Sequence, residues 1–235
     1  YHSDAFALES MIKVDKQLRC KRCYNQIEED WQLPGGQYYC RACIVFGRNQ
    51  EGKELYYFPS KTSEIEFPVL KWLGELTPYQ AEVSEKLLET YQKQKDSLVH
   101  AVTGAGKTEM IYKIVAYVLE NKGRVAIASP RVDVCRELFL RMQRDFTCSI
   151  SLLHAESEPY DGSPIVIATT HQLLKFYQNF DLVIVDEVDA FPFVGNVMLN
   201  HAVEQAKKET GRYIYLTATS TLSLEAPVRL GALEK

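Results

Sequence analysis

Residues 101–108, AVTGAGKT, form the stretch that decides the fold. They follow the phosphate-binding pattern G-x-x-x-x-G-K-[ST], with Ala101 in place of the first glycine. Residues 97–100 before them are typical of a short buried strand, and residues 110–120 after them carry apolar side chains at helical spacing. Strand, loop and helix in this order are the context that the pattern requires, which disfavours a glycine-rich turn with a chance lysine.

The residue types in this loop suit a nucleoside triphosphate. Gly104 and Gly106 have no Cβ, so the backbone can bend and bring its N–H groups against phosphate oxygens. We expect Lys107 to reach the β- and γ-phosphates and the Thr108 hydroxyl to hold Mg²⁺. The sequence therefore predicts ATP and Mg²⁺ as cofactors. The predicted nucleotide-binding residues of this stretch are Gly104, Ala105, Gly106, Lys107, Thr108 and Glu109.

The composition is typical of a cytosolic protein. Its 235 residues, 46% of them hydrophobic, suffice for one full domain and a smaller one. A net charge of -4 argues against a uniformly basic nucleic-acid coat but leaves room for a local basic patch. No apolar run approaches the ~18 residues of a membrane span, and the start lacks a signal-peptide pattern. The first residue, Tyr1 rather than Met, is compatible with a fragment.

Four of the six cysteines form two C-x-x-C pairs. Cys20 and Cys23 are separated by sixteen residues from Cys40 and Cys43, which matches the spacing of Cys₄ zinc sites. A redox dithiol is the alternative, but no thioredoxin-like βαβ pattern surrounds either pair. Four thiolates complete a tetrahedron and leave no position for a catalytic water, so we predict a structural Zn²⁺.

The sequence leaves the function of this cysteine module open. Between residues 16 and 61, eight basic residues outnumber five acidic ones. The aromatic side chains of the module offer stacking faces for single-stranded bases, or they form the small core that so short a module needs. For any one of them, the core is the favoured interpretation. They are Trp31, Tyr38, Tyr39, Phe46, Tyr56, Tyr57 and Phe58.

Residues 63–95 are predicted to form a connector and a helix. Thr77 and Pro78 suit the N-cap and first position of a helix that extends to about residue 94. Two interpretations of Gln80 stand side by side: its amide pairs with the adenine edge of the nucleotide, or it is a solvated helical residue.

After the phosphate loop, strand and helix patterns alternate. This alternation predicts an α/β fold, with a parallel sheet covered by helices on both faces and ligands at the carboxyl ends of the strands. The predicted strands are 124–128, 150–153, 165–168, 182–185 and 213–216, and the predicted helices are 132–146 and 198–208.

Acidic residues follow one of these strands directly. Residues 182–185, LVIV, are typical of a buried strand and lead into DEVD at 186–189. Asp186 suits Mg²⁺ coordination, and Glu187 suits polarising the attacking water. Acidic residues also cap helices, but two motifs in this order favour a catalytic set of Lys107, Asp186 and Glu187.

Together these motifs resemble those of the superfamily 2 helicases. Residues 101–108 resemble motif I, residues 186–189 resemble motif II, and TAT at 217–219 resembles motif III. The resemblance implies that the residues coupling hydrolysis to movement are Asp189, Thr217 and Thr219.

Two further stretches resemble the nucleic-acid motifs of that superfamily. SPR at 129–131 resembles motif Ia, and ATTHQ at 168–172 resembles motif Ib. Arg131 is the stronger candidate for a DNA phosphate contact. Thr170 is a second candidate, with capping of the following helix as its alternative role.

The match covers roughly residues 78–225, and with a Cys₄ module in front the chain resembles the ComFA family of bacterial competence ATPases. The resemblance implies a RecA-like helicase lobe at 96–235 behind a zinc module at 1–62. It also implies a single-stranded-DNA-dependent ATPase that pulls transforming DNA into the cell. Its implied partners are ComFC, DprA and a membrane DNA-uptake channel, at the inner face of the membrane.

This family has a second RecA-like lobe with an arginine finger, which lies outside the present sequence. An arginine finger is worth ~10³ to 10⁵ in rate, so we predict weak ATP hydrolysis by this chain alone. A ring or dimer is compatible with the sequence, although no coiled coil indicates one.

Three other functions compete with this interpretation. Two are enzymes, a PriA-like replication-restart helicase and an RNA-sensing superfamily 2 protein. The third is a non-catalytic adaptor, in which a zinc module binds DNA or a partner and the ATPase lobe acts only as a switch. Intact Lys107, Thr108, Asp186 and Glu187 count against the adaptor.

Overall fold

A computed structural model describes residues 5–59, 65–100, 106–187 and 195–218. Its amino-terminal part is a module of short strands, joined by turns around the cysteine pairs. Strand β1 pairs antiparallel with β4, and β2 pairs antiparallel with β3. The strands are β1 (Phe6–Glu9), β2 (Met11–Val14), β3 (Gln17–Cys20) and β4 (Glu54–Tyr57), and a 3-10 turn spans Ile44–Phe46.

The rest of the described chain is an α/β lobe, whose strands and helices alternate as predicted. Its elements are α1 (Pro78–Gln92), β5 (Ser97–His100), α2 (Lys107–Met110), α3 (Tyr112–Glu120), β6 (Val125–Ser129), α4 (Val132–Asp145), β7 (Ile150–Leu153), β8 (Ile165–Thr169), a 3-10 helix (Thr170–Lys175), β9 (Phe180–Val185), α5 (Val197–Ala206) and β10 (Lys207–Thr217). Among the helices within these ranges, none combines the length and the apolar character that crossing a membrane requires.

A six-stranded sheet in the order β5-β10-β9-β6-β8-β7 forms the centre of the lobe, and every pairing in it is parallel. Side chains of β9 alternate between two buried clusters. Val183 and Val185 pack with α5 on one face, and Leu182 and Ile184 pack with α3 on the other. Burial on both faces explains the continuous apolar run of this strand. The predicted α/β class with a parallel sheet is confirmed.

Helix α1 has the N-terminal cap that the sequence predicts. The Thr77 hydroxyl accepts a hydrogen bond from the backbone N–H of Gln80 at 3.3 Å. In return, the Gln80 side-chain oxygen accepts one from the N–H of Thr77 at 2.9 Å, which completes a capping box. The prediction of Thr77 as N-cap and Pro78 as first helical residue is therefore confirmed.

The largest differences from the predicted element limits concern two helices and the last strand. The helix expected at 110–120 starts earlier and is broken at Ile111, between α2 and α3. The helix expected to reach residue 208 ends at Ala206, and β10 begins at Lys207 rather than at 213. The extra strand residues pair Lys207 with Phe180 across a register shift. A Cβ at Gly211 would lie 2.7 Å from the Phe180 carbonyl oxygen, so this close approach requires glycine.

The amino-terminal module packs directly on the lobe. The Tyr24 ring stacks on His201 of α5 with centroids 5.1 Å apart, and His201 Nε2 donates to the Lys21 carbonyl at 3.1 Å. The buried cysteines of the module belong to the same apolar cluster as Leu199 and Val203. The domain limits at residues 62 and 95 stay a prediction, since residues 60–64 lie outside the described ranges.

The connector is tied to the lobe through α4. Lys71 N–H donates to the Asp145 carbonyl at 2.8 Å, and Thr147 N–H donates to the Val69 carbonyl at 3.0 Å. The buried Asp145 carboxylate accepts from the Tyr112 hydroxyl at 2.7 Å and from the Arg144 guanidinium. The Arg144 hydrogen bond holds the pKa of Asp145 below its usual range, despite the opposing effect of burial.

Replacing Tyr112→Phe should lower the free energy of unfolding by ~1 to 3 kcal/mol at pH 7, because a buried carboxylate loses a hydrogen-bond donor. A carboxyl with a lowered native pKa stabilises the fold above its unfolded pKa of ~3.9 and loses that effect as pH falls below it. The deficit should therefore shrink in acid. Urea denaturation at pH 7 and below the unfolded pKa measures this deficit in stability. Tyr79→Phe, a substitution of an exposed tyrosine, is the control. Equal midpoints for the two variants at pH 7 would contradict this role.

Candidate nucleotide and metal sites

The end of the phosphate loop is described from Gly106 onward. Gly106 precedes α2 with φ +75°, a left-handed conformation that glycine adopts without strain. A Cβ at this position would also approach the end of the flexible Gln80 side chain, which would have to move. Lys107 and Thr108 follow in the first turn of α2. The predicted nucleotide ligands Gly104 and Ala105 lie outside the described residues.

Lys107 and Asp186, 79 residues apart in sequence, meet at the carboxyl edge of the sheet. Lys107 Nζ lies 3.3 Å from Asp186 Oδ1, and both side chains are mostly buried. The backbone holds Asp186 in place, because its N–H donates to the Ala128 carbonyl at 2.8 Å. Asp186 Oδ1 also accepts from the Glu187 N–H at 2.9 Å. The structure thus brings together two of the three predicted catalytic residues.

Glu187, the third predicted catalytic residue, lies two residues after the end of β9 and adopts φ +54°. Non-glycine residues rarely occupy this region, and where they do the strain is often part of a functional site. Its Oε2 is buried without a hydrogen-bond partner among the described residues. Its Oε1 lies 3.6 Å from Arg131 Nη1. Burial raises the pKa of the Glu187 carboxyl above its ordinary value, and Arg131 opposes that rise.

The donor set at this edge fits a nucleotide with Mg²⁺. The ammonium of Lys107 suits phosphate oxygens, and the Thr108 hydroxyl with the Asp186 carboxylate supplies the oxygen ligands that Mg²⁺ prefers. Glu187 Oε2, which has no partner among the described residues, is a buried acceptor to which a water could donate a hydrogen bond.

Two other predicted nucleotide-binding residues have local roles of their own. Gln80 uses its side-chain oxygen in the capping box of α1, while its amide group faces Gly106. It is therefore not a purely solvated helical residue, and the adenine contact stays a prediction. Glu109 forms an ion pair with Arg141 of α4, with Oε1 and Nη1 3.3 Å apart.

The predicted nucleic-acid contacts lie at the same edge. Arg131 follows β6 and pairs with Asp133 at 2.5 Å as well as with Glu187. Thr170 opens the 3-10 helix after β8, and its Oγ1 is buried with no partner within the described part of the chain. The alternative role of Thr170 as a helix cap is thus wrong. Of the predicted coupling residues, Thr217 ends β10 fully buried, whereas Asp189 and Thr219 lie outside the described ranges.

The four cysteines of the two C-x-x-C pairs form one buried cluster. Their sulfur atoms all lie within 4.8 Å of one another. Cys23 Sγ and Cys40 Sγ are 3.5 Å apart, and Cys20 Sγ and Cys43 Sγ are 3.7 Å apart. A tetrahedron of Zn–S bonds of ~2.3 Å requires sulfur separations of ~3.8 Å. The cluster therefore has the size and ligand type of a structural zinc site.

Nitrogen donors surround the sulfur atoms. Asn49 Nδ2 lies 3.1 Å from Cys20 Sγ, and Arg22 Nε and Nη2 each lie 3.3 Å from Cys43 Sγ. Hydrogen bonds from the other three thiols, with a contribution from Asn49, hold the pKa of Cys20 below its usual range. Such donors stabilise thiolates and orient them, as the outer shell of a metal site does.

Sequence analysis missed this role of Arg22 and Asn49. Arg22 was counted only as one of the eight basic residues between positions 16 and 61. In the structure it is buried and also donates to the Cys43 and Phe46 carbonyls. The position of Arg22 inside the first C-x-x-C pair was the available signal. Asn49 lies near Cys20 only in the folded chain, so the sequence contains no signal for its role.

Comparison with known proteins agrees with this geometry. The family model described as DEAD/DEAH box helicase matches residues 77–226, which include the phosphate loop and the acidic motif. Among solved structures, a hypothetical ATP-dependent RNA helicase from Sulfolobus tokodaii superposes with a TM-score of 0.54 at 20% identity. That superposition covers 69% of this chain and 53% of the other, and at this identity it shows the fold alone.

Curated relatives extend the similarity to the cysteine module. Competence protein ComFA of Streptococcus pneumoniae is 58% identical over 231 residues, which are 97% of this chain and 52% of that protein. Competence protein ComFA of Bacillus subtilis is 35% identical over 233 residues, 96% of this chain and 50% of that protein. The chain thus spans about half the length of these relatives. It belongs to the DEAD/DEAH box helicase family and, with this identity along nearly its whole length, to the ComFA family.

Proposed function

We propose that this chain forms the zinc module and first motor lobe of an ATP-dependent translocase. In this proposal the motor acts on single-stranded DNA and drives uptake of transforming DNA in bacterial competence. The observation that carries the proposal is the contact of Lys107 with Asp186, with Glu187 beside it, at the carboxyl edge of the sheet. The names and identities of the ComFA relatives support the competence role over a replication-restart or RNA-sensing role.

Each residue of this edge has a defined task in the proposed reaction. Lys107 exchanges its contact with Asp186 for the β- and γ-phosphates of ATP. Thr108 and Asp186 hold Mg²⁺, which when bound neutralises charge that develops on the phosphates. Glu187 orients and polarises the attacking water through its partner-free carboxylate oxygen. Thr217 and Asp189 are proposed to couple hydrolysis to motion.

The ion pair of Arg131 with Glu187 supports control of hydrolysis by DNA. Arg131 follows the strand whose end is proposed to contact the DNA backbone, yet its guanidinium lies 3.6 Å from the proposed catalytic carboxylate. A DNA phosphate that binds Arg131 competes for this guanidinium. Glu187 is then released toward the nucleotide.

The setting that we propose for this motor is the one implied by its resemblance to the ComFA family. We place it in the cytoplasm at the inner face of the cell membrane, with ComFC, DprA and a DNA-uptake channel as partners. A homo-oligomer is compatible with this arrangement. The adaptor hypothesis remains the second candidate, in which the lobe binds ATP as a switch without turnover.

ATP hydrolysis by the full-length protein should rise with single-stranded DNA more than with duplex DNA or RNA. Glu187→Gln should lower the stimulated rate by ~10² to 10⁴-fold and leave ATP and DNA binding intact, because only water activation is lost. Phosphate release and filter binding measure the two properties, and Glu120→Gln at the exposed end of α3 is the matched control. Stimulation by RNA alone would assign another helicase class. Absence of any stimulation would favour the adaptor.

Arg131→Ala should raise DNA-free ATP hydrolysis a few-fold and lower the stimulation by single-stranded DNA. Its physical reason is the loss of the guanidinium that pairs with Glu187 and receives the DNA phosphate. Steady-state rates with and without oligo-dT measure both effects. Arg136→Ala, an exposed arginine of the following helix α4, is the control. An unchanged stimulation ratio in Arg131→Ala would rule out this coupling.

We also propose that zinc mainly holds its own module together. Replacing Cys20 and Cys23 with serine should abolish bound zinc and expose residues 1 to about 60 to protease, with nucleotide binding retained. Zinc analysis, limited proteolysis and binding of a fluorescent ATP analogue are the measurements. Cys148→Ser, outside the cluster, is the matched control. Loss of nucleotide binding would refute the proposal.

A further inference from the structure

A groove separates the zinc module from the carboxyl edge of the sheet. The 3-10 turn Ile44–Phe46 forms one wall, and the chain after β6 and β8 forms the other. Its volume of about 480 Å³ lies within the ~300 to 1,000 Å³ range of small-ligand sites and suffices for a nucleotide unit. Residues that line it include Val45, Phe46, Pro130, Thr170, Gln172 and Lys175.

Two buried polar side chains of the groove have atoms without a partner in the described part of the chain. Thr170 is 1% exposed and Gln172 is 7% exposed, and Thr170 Oγ1 and Gln172 Oε1 make no hydrogen bond. Native proteins rarely leave such atoms unsatisfied, because each costs free energy comparable to a lost hydrogen bond. Both residues line the groove, so an occupant with hydrogen-bonding groups would satisfy them.

The charge and shape of the groove define that occupant. Lys175 is exposed, and its Nζ lies 5.9 Å from the centre of the Phe46 ring. No carboxylate belongs to the lining drawn from the described residues. A cation beside an aromatic face, with hydroxyl and amide groups behind them, is complementary to a phosphate joined to a flat base.

The zinc site fixes the aromatic wall. Arg22, which contacts Cys43 Sγ, also donates from Nη1 to the Phe46 carbonyl at 2.9 Å and from Nη2 to the Cys43 carbonyl at 3.1 Å. The turn that carries Phe46 is therefore attached to the cysteine cluster. Val45 beside it is 81% exposed and lines the groove.

We propose that this groove binds a nucleotide unit of single-stranded DNA, with Phe46 stacking on the base and Lys175 contacting the phosphate. The zinc module is then one wall of the DNA path. This inference rests on the proposed function and deepens it, because it assigns a DNA contact to the module in front of the motor lobe.

Affinity of the zinc-loaded chain for fluorescein-labelled oligo-dT tests the proposal. Phe46→Ala should weaken binding by roughly 5- to 150-fold, the usual effect of losing one stacked base. Lys175→Ala should weaken it and lower the slope of log affinity against log salt by about 0.7, the value for one phosphate of a single strand. The matched controls are Phe6→Ala and Lys13→Ala, which are exposed residues of the zinc module outside the groove. Both controls should bind as the unmodified chain does.

Photocrosslinking gives a second measurement that does not depend on a variant. Oligo-dT with one 5-iodouracil, irradiated on the unmodified chain, should crosslink to Phe46 or its neighbours in the turn. Zinc content and melting temperature report the folding of each variant. Where Phe46→Ala disturbs the module, the exposed Lys175 and the crosslink still decide the outcome.

Three results would overturn the proposal that the groove binds single-stranded DNA. In the first, the unmodified chain binds oligo-dT, Phe46→Ala and Lys175→Ala bind it equally well, and no crosslink forms in the turn. The groove proposal is then refuted, and the proposed function stands. If the unmodified chain does not bind oligo-dT, the groove proposal fails, and ATP hydrolysis by the full-length protein with single-stranded DNA decides the proposed function separately. If Phe46→Ala abolishes self-association measured by sedimentation and leaves DNA affinity unchanged, the groove is a contact between copies.

Discussion

The parallel pairing of β9 with β6 on one side and β10 on the other is the constraint on which the site depends. Parallel strands end at the same edge, so residues far apart in sequence converge there. Ala128 pairs with Val185, and the Asp186 N–H continues the ladder to the Ala128 carbonyl. The aspartate is thereby fixed by backbone hydrogen bonds, and Lys107 approaches it from α2. A shift of β9 by one residue would exchange its two buried faces and turn this carboxylate away.

The two faces of the sheet are covered in different ways, and this difference positions the zinc module. Helices α1, α3 and α4 with the connector bury one face. On the other face, α5 and the 3-10 helix after β8 leave an apolar surface that the cysteine module covers. The stack of Tyr24 on His201 belongs to that contact. Because the four cysteines share a cluster with the lobe, the module is part of its core and carries its own turn to the edge where β8 ends.

Local sequence signals predicted most of the fold, whereas contacts between distant residues lay beyond them. Thr77 and Pro78 mark a helix start by their own chemistry, and two C-x-x-C pairs reveal their ligand role by spacing alone. The break at Ile111 and the early start of β10 come from tertiary packing, which overrides local preference. Lys107 and Asp186 were predicted because their motifs have known order. The role of Asn49 depends on its approach to Cys20 in the folded chain, which the spacing of residues in the sequence does not indicate.

The charged side chains at the sheet edge form ion pairs with one another. Lys107 pairs with Asp186, and Arg131 pairs with Glu187 and Asp133, so each of these cations has a carboxylate partner. A phosphate that binds either cation must displace such a carboxylate and so frees it for its own task. In the proposed function, the nucleotide would displace Lys107 and so leave Asp186 available to Mg²⁺. The DNA backbone would displace Arg131 and leave Glu187 available to water. The two proposed exchanges would take place at the ends of neighbouring strands, β9 and β6. The sheet itself would then connect the nucleotide to the DNA, without requiring a long-range change of shape.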